Sequence, residues 1–319
     1  PGELPNDFIG QTQILDNATY TLSTNLDYQF SAKSSARFNA LLAEDDNPTE
    51  VERLTVDLKG EGFKHSLERE DNPATNTNWE VGGDYEFRRS NGDRFKILGI
   101  ANKNDTTNTR ERWDVFEDLT EQKNLFLDTA STLEERIVRG SYTTDLISGQ
   151  SVEFGVERSQ TVLDSKLALG VLSSTNSGKL AYGGLTPVNI PNANTRVEEI
   201  RYEPFAIHNW RINPRMSLET SFVYEGSEIT LSGDVSNSRT FNFFKPKVDY
   251  RFDITPQLQL RVMIEKFVRQ LSFMDFVAIN DQTDEDSDTL PGNSNLRPDY
   301  WWNYNFLAEY RLPDDQGVV

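Results

Sequence analysis

The chain has 319 residues and a formal charge of −19, from 32 basic and 51 acidic side chains. That balance excludes nucleic acid as a partner, because phosphate binding needs a basic face. The absence of cysteine excludes a disulfide framework, thiol catalysis and cysteine-held metal. Mean hydropathy is −0.61, and no run of about 18 apolar residues marks a membrane helix. A barrel that crosses with strands stays open, since only alternate residues of such a strand are apolar.

Taken in chain order, the predicted elements are strands. The chain opens PGELPNDFIG, without an initiator Met or a signal peptide. In 19–30, Tyr20, Leu22, Leu26, Tyr28 and Phe30 oppose a polar set. In 79–88, Trp79, Val81, Tyr85 and Phe87 oppose Glu80, Asp84, Glu86 and Arg88. The pattern returns with Val152, Phe154 and Val156, and 216–232 reads as a strand longer than a dozen residues. It continues with Val248, Tyr250 and Phe252, then with Leu258, Leu260, Val262 and Ile264. Last comes 299–312, where Tyr300, Trp302, Tyr304, Phe306, Ala308, Tyr310 and Leu312 share one face. Alternate side chains of a strand point to opposite faces, so each segment wants oil on one side and a wetter medium on the other.

Tight-turn sequences separate strand pairs at 31–34 (SAKS), 90–93 (SNGD), 148–150 (SGQ), 213–215 (NPR), 255–257 (TPQ) and 313–316 (PDDQ). Longer polar stretches lie between them, at about 45–50, 60–77, 105–131, 173–195, 233–238 and 280–298, and are expected to be loops. Strict alternation of short turns with long loops is the pattern of an outer-membrane barrel, with the short turns on the periplasmic side. Aromatics cluster beside the short turns (Tyr28, Phe30, Phe38, Tyr85, Phe87, Phe95, Tyr142, Phe154, Trp210, Phe252 and Tyr310), as an interfacial girdle does. The expected fold class is all-β: an antiparallel up-and-down transmembrane β-barrel of roughly eleven strands, with short periplasmic turns and long extracellular loops. Since bacterial barrels close with an even number of strands, 1–319 is expected to be a partial barrel domain, truncated at both ends.

Two segments resemble a known family. ITPQLQLRVMIEKFVRQLSFMDFVA (254–278) is similar to a stretch of TonB-dependent outer-membrane receptors in which a short turn leads into an alternating strand, then Arg-x-x-Ser-Phe and an outer loop. LPGNSNLRPDYWWNYNFLAEYRL (290–312) resembles the family's Gly-Asn-x-x-Leu-Lys/Arg-Pro-Glu/Asp stretch, here Gly292, Asn293, Leu296, Arg297, Pro298 and Asp299. Gln270-Leu271 follows Arg269 where the family usually has Pro. The resemblance implies about half of a 22-stranded barrel. The plug domain, the segment that meets the energising inner-membrane partner, and the last strand with its terminal aromatic are expected to be absent from this chain. It further implies uptake of a bulky solute (ferric siderophore, cobalamin or oligosaccharide) by binding and gated translocation at the outer membrane of a Gram-negative bacterium. Membrane lipid, lipopolysaccharide and the inner-membrane energising complex would be the partners.

The chemistry of the residues favours no enzyme. His65 and His208 are far apart, and no nucleophile elbow, phosphate loop or dinucleotide fingerprint appears. No cofactor and no catalytic residue is expected. The run DQTDEDSD contains Asp284, Asp286 and Asp288, a weak Ca²⁺ candidate that reads first as a solvated acidic loop. The polar faces carry both signs, including Arg37, Asp84, Arg88, Arg94, Asp249, Arg251, Arg261 and Glu265, and facing a lumen they would make a wet wall. Candidate solute contacts in the lumen or mouth are Arg261, Glu265, Arg269 and Trp301. Two other classes fit the pattern: a passive outer-membrane channel, and a soluble all-β protein that binds or cleaves glycans.

Overall fold

The computed structural model describes residues 6–59, 64–174, 177–280 and 289–312. Seventeen strands follow in chain order: β1 (Asp7–Leu15), β2 (Ala18–Ser31), β3 (Ser34–Asp46), β4 (Thr49–Asp57), β5 (Lys64–Asn72), β6 (Ala74–Arg88), β7 (Arg94–Val115), β8 (Glu121–Ile147) and β9 (Gln150–Val171); then β10 (Thr186–Val188), β11 (Asn194–Asn213), β12 (Met216–Gly233), β13 (Asn237–Asp253), β14 (Leu258–Val268), β15 (Ile279–Asn280), β16 (Thr289–Leu290) and β17 (Tyr300–Tyr310). Fifteen form one antiparallel sheet that does not close, and β15 pairs with β16 alone. Among the described residues no helix is long and apolar enough to cross a membrane.

The sheet is a meander of eleven long strands, because β1–β2, β3–β4 and β5–β6 are each one strand with a short break. The breaks fall at Asp16–Asn17, Asn47–Pro48 and Pro73, side by side on neighbouring strands. Proline has no N–H to give the ladder. The breaks are stitched by Asp16 N donating to Pro48 O (3.3 Å), Asn47 N to Ala74 O (2.9 Å) and Thr109 N to Pro73 O (3.0 Å). They form a crease across the sheet. On one side lies the alternating body; on the other β1, β4 and β5 continue as a wing against the far end of β7.

The turns at 31–34, 90–93, 148–150, 213–215 and 255–257 all sit where the sequence puts them, at one end of the meander. The sixth, 313–316, lies outside the described residues. Three of the expected loops need correction. Residues 45–50 are only the break between β3 and β4, most of 60–77 is strand, and of 105–131 only 116–120 leaves the sheet. These stretches lack apolar alternation yet pair through polar side chains. Thr109 donates to Asp128 (2.7 Å), Thr132 to Asp105 (2.6 Å), and Thr75 meets Thr107 (2.7 Å), each across a directly opposed pair. Cross-strand polar pairs of this kind leave no apolar alternation along either segment.

Pairing puts the apolar sets of successive strands in register on one face. Phe87 opposes Phe95, Phe95 opposes Tyr142, Tyr142 opposes Phe154, Val262 opposes Phe306 and Ile264 opposes Tyr304. This face is bare: Leu22 is 71% and Phe306 74% exposed. A water-soluble sheet buries such a face against a second layer, and none is packed here among the described residues. Buried apolar clusters form instead on the opposite face, far from the short turns. There Leu125, Leu127, Leu167 and Leu169 pack with Ala193 and Ala278, and Leu163, Val197, Ile229 and Leu231 pack with Phe276 and Val277.

Candidate functional site

The polar face is a continuous wall of charge pairs. Arg37 meets Asp84 (2.8 Å), Arg139 meets Glu157 (3.5 Å), Arg201 meets Glu203 (3.1 Å), Lys247 meets Glu219 (3.1 Å) and Arg261 meets Asp249 (2.5 Å). Lys245 bridges Glu203 and Glu225, whose carboxylate is 2.7 Å away and whose residue is only 1% exposed. A buried carboxylate costs several kcal/mol unless paired (of order 3–5 when one partner is removed), so Lys245 is a required partner. Gln270, just past β14, also reaches Glu225 (3.4 Å). Phe205 lies over Gly155, where an added Cβ would come within 2.8 Å of its ring, and the Arg139 guanidinium lies over that ring at 4.1 Å.

The four candidate contacts all point to this wall, but they do not form one cluster. Phe267 lies opposite Trp301, with ring centroids 4.7 Å apart, and Arg269 stacks on Trp301 at 5.6 Å. Trp301 Nε1 donates to Asn303 (2.8 Å), and Asn303 donates to Glu265 (3.3 Å). Arg269, Trp301 and Glu265 are thus linked in one chain near the loop-bearing end. Arg261 opposes Leu307, six residues further along β17, or roughly 20 Å away at strand rise. It lines a separate hollow of about 1190 Å³ at the short-turn end, with Glu219, Asp249, Arg251 and Gln259. Sequence reading missed Phe267 and Asn303. Phe267 carried a signal, since it is an aromatic on the polar parity of its strand, as Trp301 is. It also missed the inward charges Arg201, Glu203, Glu225 and Lys245, which lie on three different strands and meet only across the sheet.

The remaining candidates give little chemistry. Asp284, Asp286 and Asp288 lie outside the described residues. Among the described residues no group of three His, Asp or Glu is placed to hold a metal. His208 meets Gln150 (3.0 Å), while His65 sits in β5 on the wing.

A meander of long strands, bare and apolar on one face and charged on the other, with short turns at one end and loops at the other, invites comparison with solved membrane barrels. The chain aligns over 97% of its length with the alcaligin outer-membrane receptor FauA of Bordetella pertussis (9% identity, TM-score 0.51, 49% of that chain). It aligns over 97% with the ferric-catecholate import receptor Fiu of E. coli K12 (9%, 0.56, 56% of that chain). It aligns over 98% with the siderophore receptor PiuA of Acinetobacter baumannii (10%, 0.51, 56% of that chain). The fold is that of a TonB-dependent outer-membrane receptor barrel. The chain spans about half the length of the solved receptors it matches, so it is a partial barrel of that fold. No family profile and no curated protein sequence matches it. In outer-membrane barrels generally, the apolar face of each strand meets lipid, the polar face lines the interior and the long loops lie outside.

Proposed function

We propose that this chain is wall and mouth of an outer-membrane receptor that takes up a bulky solute in a Gram-negative bacterium. The observation that carries the reading is the bare apolar face in register across a receptor-barrel fold. The wall of ion pairs gives a solute, or a plug, polar surface to lie against while excluding lipid. At the mouth, Arg269 over Trp301 offers a guanidinium to an anionic group, and Phe267 and Trp301 offer ring faces. That chemistry suits a ferric siderophore better than a neutral oligosaccharide or cobalamin. Lipid and lipopolysaccharide would meet the outer face. The force for translocation would come from the inner membrane through a plug domain, and no bond of the solute is broken.

The test is uptake of labelled ferric siderophores by cells that make or lack the protein, with and without an uncoupler of the inner-membrane gradient. The reading expects uptake that saturates, stops with the uncoupler and weakens about tenfold in apparent affinity for Trp301→Ala, as loss of one ring face against the solute, about 1.4 kcal/mol, implies. Unsaturable uptake that ignores the uncoupler would mark a passive channel instead.

A further inference from the structure

We propose that residues 271–279 are a fixed shelf docked on the inner wall at the mouth, not a flap that closes over solute. The segment follows Gln270, turns through a short 3-10 turn at Phe273–Phe276 and runs into β15. A flap would rest in solvent or touch the wall lightly. This segment is built in. Phe276 is 1% and Ala278 3% exposed, and together with Val277 they complete both buried apolar clusters. Phe276 and Val277 pack with Leu163, Val197, Ile229 and Leu231; Ala278 packs with Leu125, Leu127, Leu167 and Leu169. These wall residues come from β8, β9, β11 and β12, so the shelf ties four strands together.

Polar contacts clasp the shelf from both sides. From the loop before β11, Asn192 accepts the Ala278 backbone N–H (3.2 Å), and its side-chain amide donates to Gly292 O (2.9 Å). Asn192 holds a positive φ of 61° while buried, a conformation asparagine takes more readily than most residues. From the chain returning to β17, Asn293 N donates to Asp275 O (2.8 Å). Gly292 presses so closely on the shelf that a Cβ there would lie 2.2 Å from Phe276 O. Further along, Asn237 donates to Ser294 O (3.0 Å) and Arg239 to Leu296 O (2.8 Å), and Leu296 enters the cluster around Phe276. The Gly-Asn-x-x-Leu stretch is therefore the clasp of the shelf. What the shelf offers outward is Met274, 42% exposed, beside Asp275.

The position of the shelf at the outer mouth rests on the receptor reading; its docking does not. The chain has no cysteine, so single-cysteine variants report cleanly. Met274→Cys, Val277→Cys and Ala278→Cys would be made in cells producing the protein and treated with a membrane-impermeant maleimide. Ala278→Cys adds one atom beyond Cβ, and Val277→Cys replaces two γ-methyls by one sulfur, so one change enlarges and the other shrinks, and one of the two is expected to fold if the other does not. Met274→Cys labels quickly, and the two buried sites label roughly a hundredfold more slowly, as protection by a packed unit implies. Equal rates at Met274 and at the buried sites overturn the shelf. If Met274→Cys labels only in broken cells, the outward orientation fails, and the same ratio measured in broken cells still decides the docking.

Discussion

Asp93 shows how much one turn residue holds. It sits in the turn between β6 and β7, where its carboxylate accepts hydrogen bonds from Tyr142 (2.5 Å), Thr144 (2.7 Å) and Asn91 (2.7 Å). These bonds, Tyr142 first, hold its carboxyl below the usual aspartate range. A depressed carboxyl adds stability that is complete above the ordinary value of about 3.9 and is lost as pH falls through the lowered value. Asp93→Asn is therefore expected to lower the melting temperature at pH 7 and to lower it by less at pH 2, measured in detergent. An equal loss at both pH values would show that the charge is not what counts. Gly155 tests packing in the same way. Gly155→Ala would put a Cβ 2.1 Å from Gly140 O and 2.8 Å from the Phe205 ring; such overpacking costs about 1–3 kcal/mol. Denaturant melts of the single variant and of Gly155→Ala with Phe205→Leu should show partial rescue in the double variant. No rescue would place the clash on the backbone alone.

At the scale of elements, strand length is the main departure from a minimal barrel. β7 has 22 and β8 27 residues, where a crossing needs about 9–11. The surplus stands beyond the apolar band, and the wing leans on it through Glu70. Burial alone would raise the Glu70 carboxyl, but Arg110 at 2.7 Å, with Arg53 and Arg112 beside it, holds it below its ordinary value. Arg110→Ala strands a buried carboxylate and is expected to cost about 3 kcal/mol. Hydrogen exchange is the readout: the amides of β5 should exchange roughly a hundredfold faster while those near Phe95 do not change. Unchanged β5 amides would mean that Arg53 suffices. This is also where the sequence was hardest to read. Within the band, oil on one face imposes a period of two, and Tyr20 to Phe30 or Tyr300 to Tyr310 declare themselves. Beyond it, Asn104 to Thr109 and Thr129 to Thr132 hold their strands by cross-strand polar pairs, which have no signature along a single segment. The site followed the same rule. Trp301 and Arg269 stood out as residues on the polar parity, whereas Glu225 and Lys245 became a pair only when β12 was laid beside β13.

For the whole molecule, one question governs the rest: which medium covers the bare face. The eleven-strand meander has an open edge at β1 and β2 and another at β17. Unpaired edges recruit other chains, so residues 1–319 produced alone are expected to associate, and a stable monomer by light scattering would count against an open sheet. The measurement that reaches the central claim most directly places nitroxide labels in membranes holding the protein. One set goes at Leu22, Tyr85, Leu260 and Phe306, the other at their neighbours Ser23, Glu86, Arg261 and Asn305. Accessibility is then compared for oxygen, which concentrates in lipid, and for a water-soluble relaxing agent. The account predicts a lipid signature at all four sites of the first set and at none of the second. If both sets report water, or both report protein contact, the bare face does not meet a bilayer, and the receptor reading falls with it.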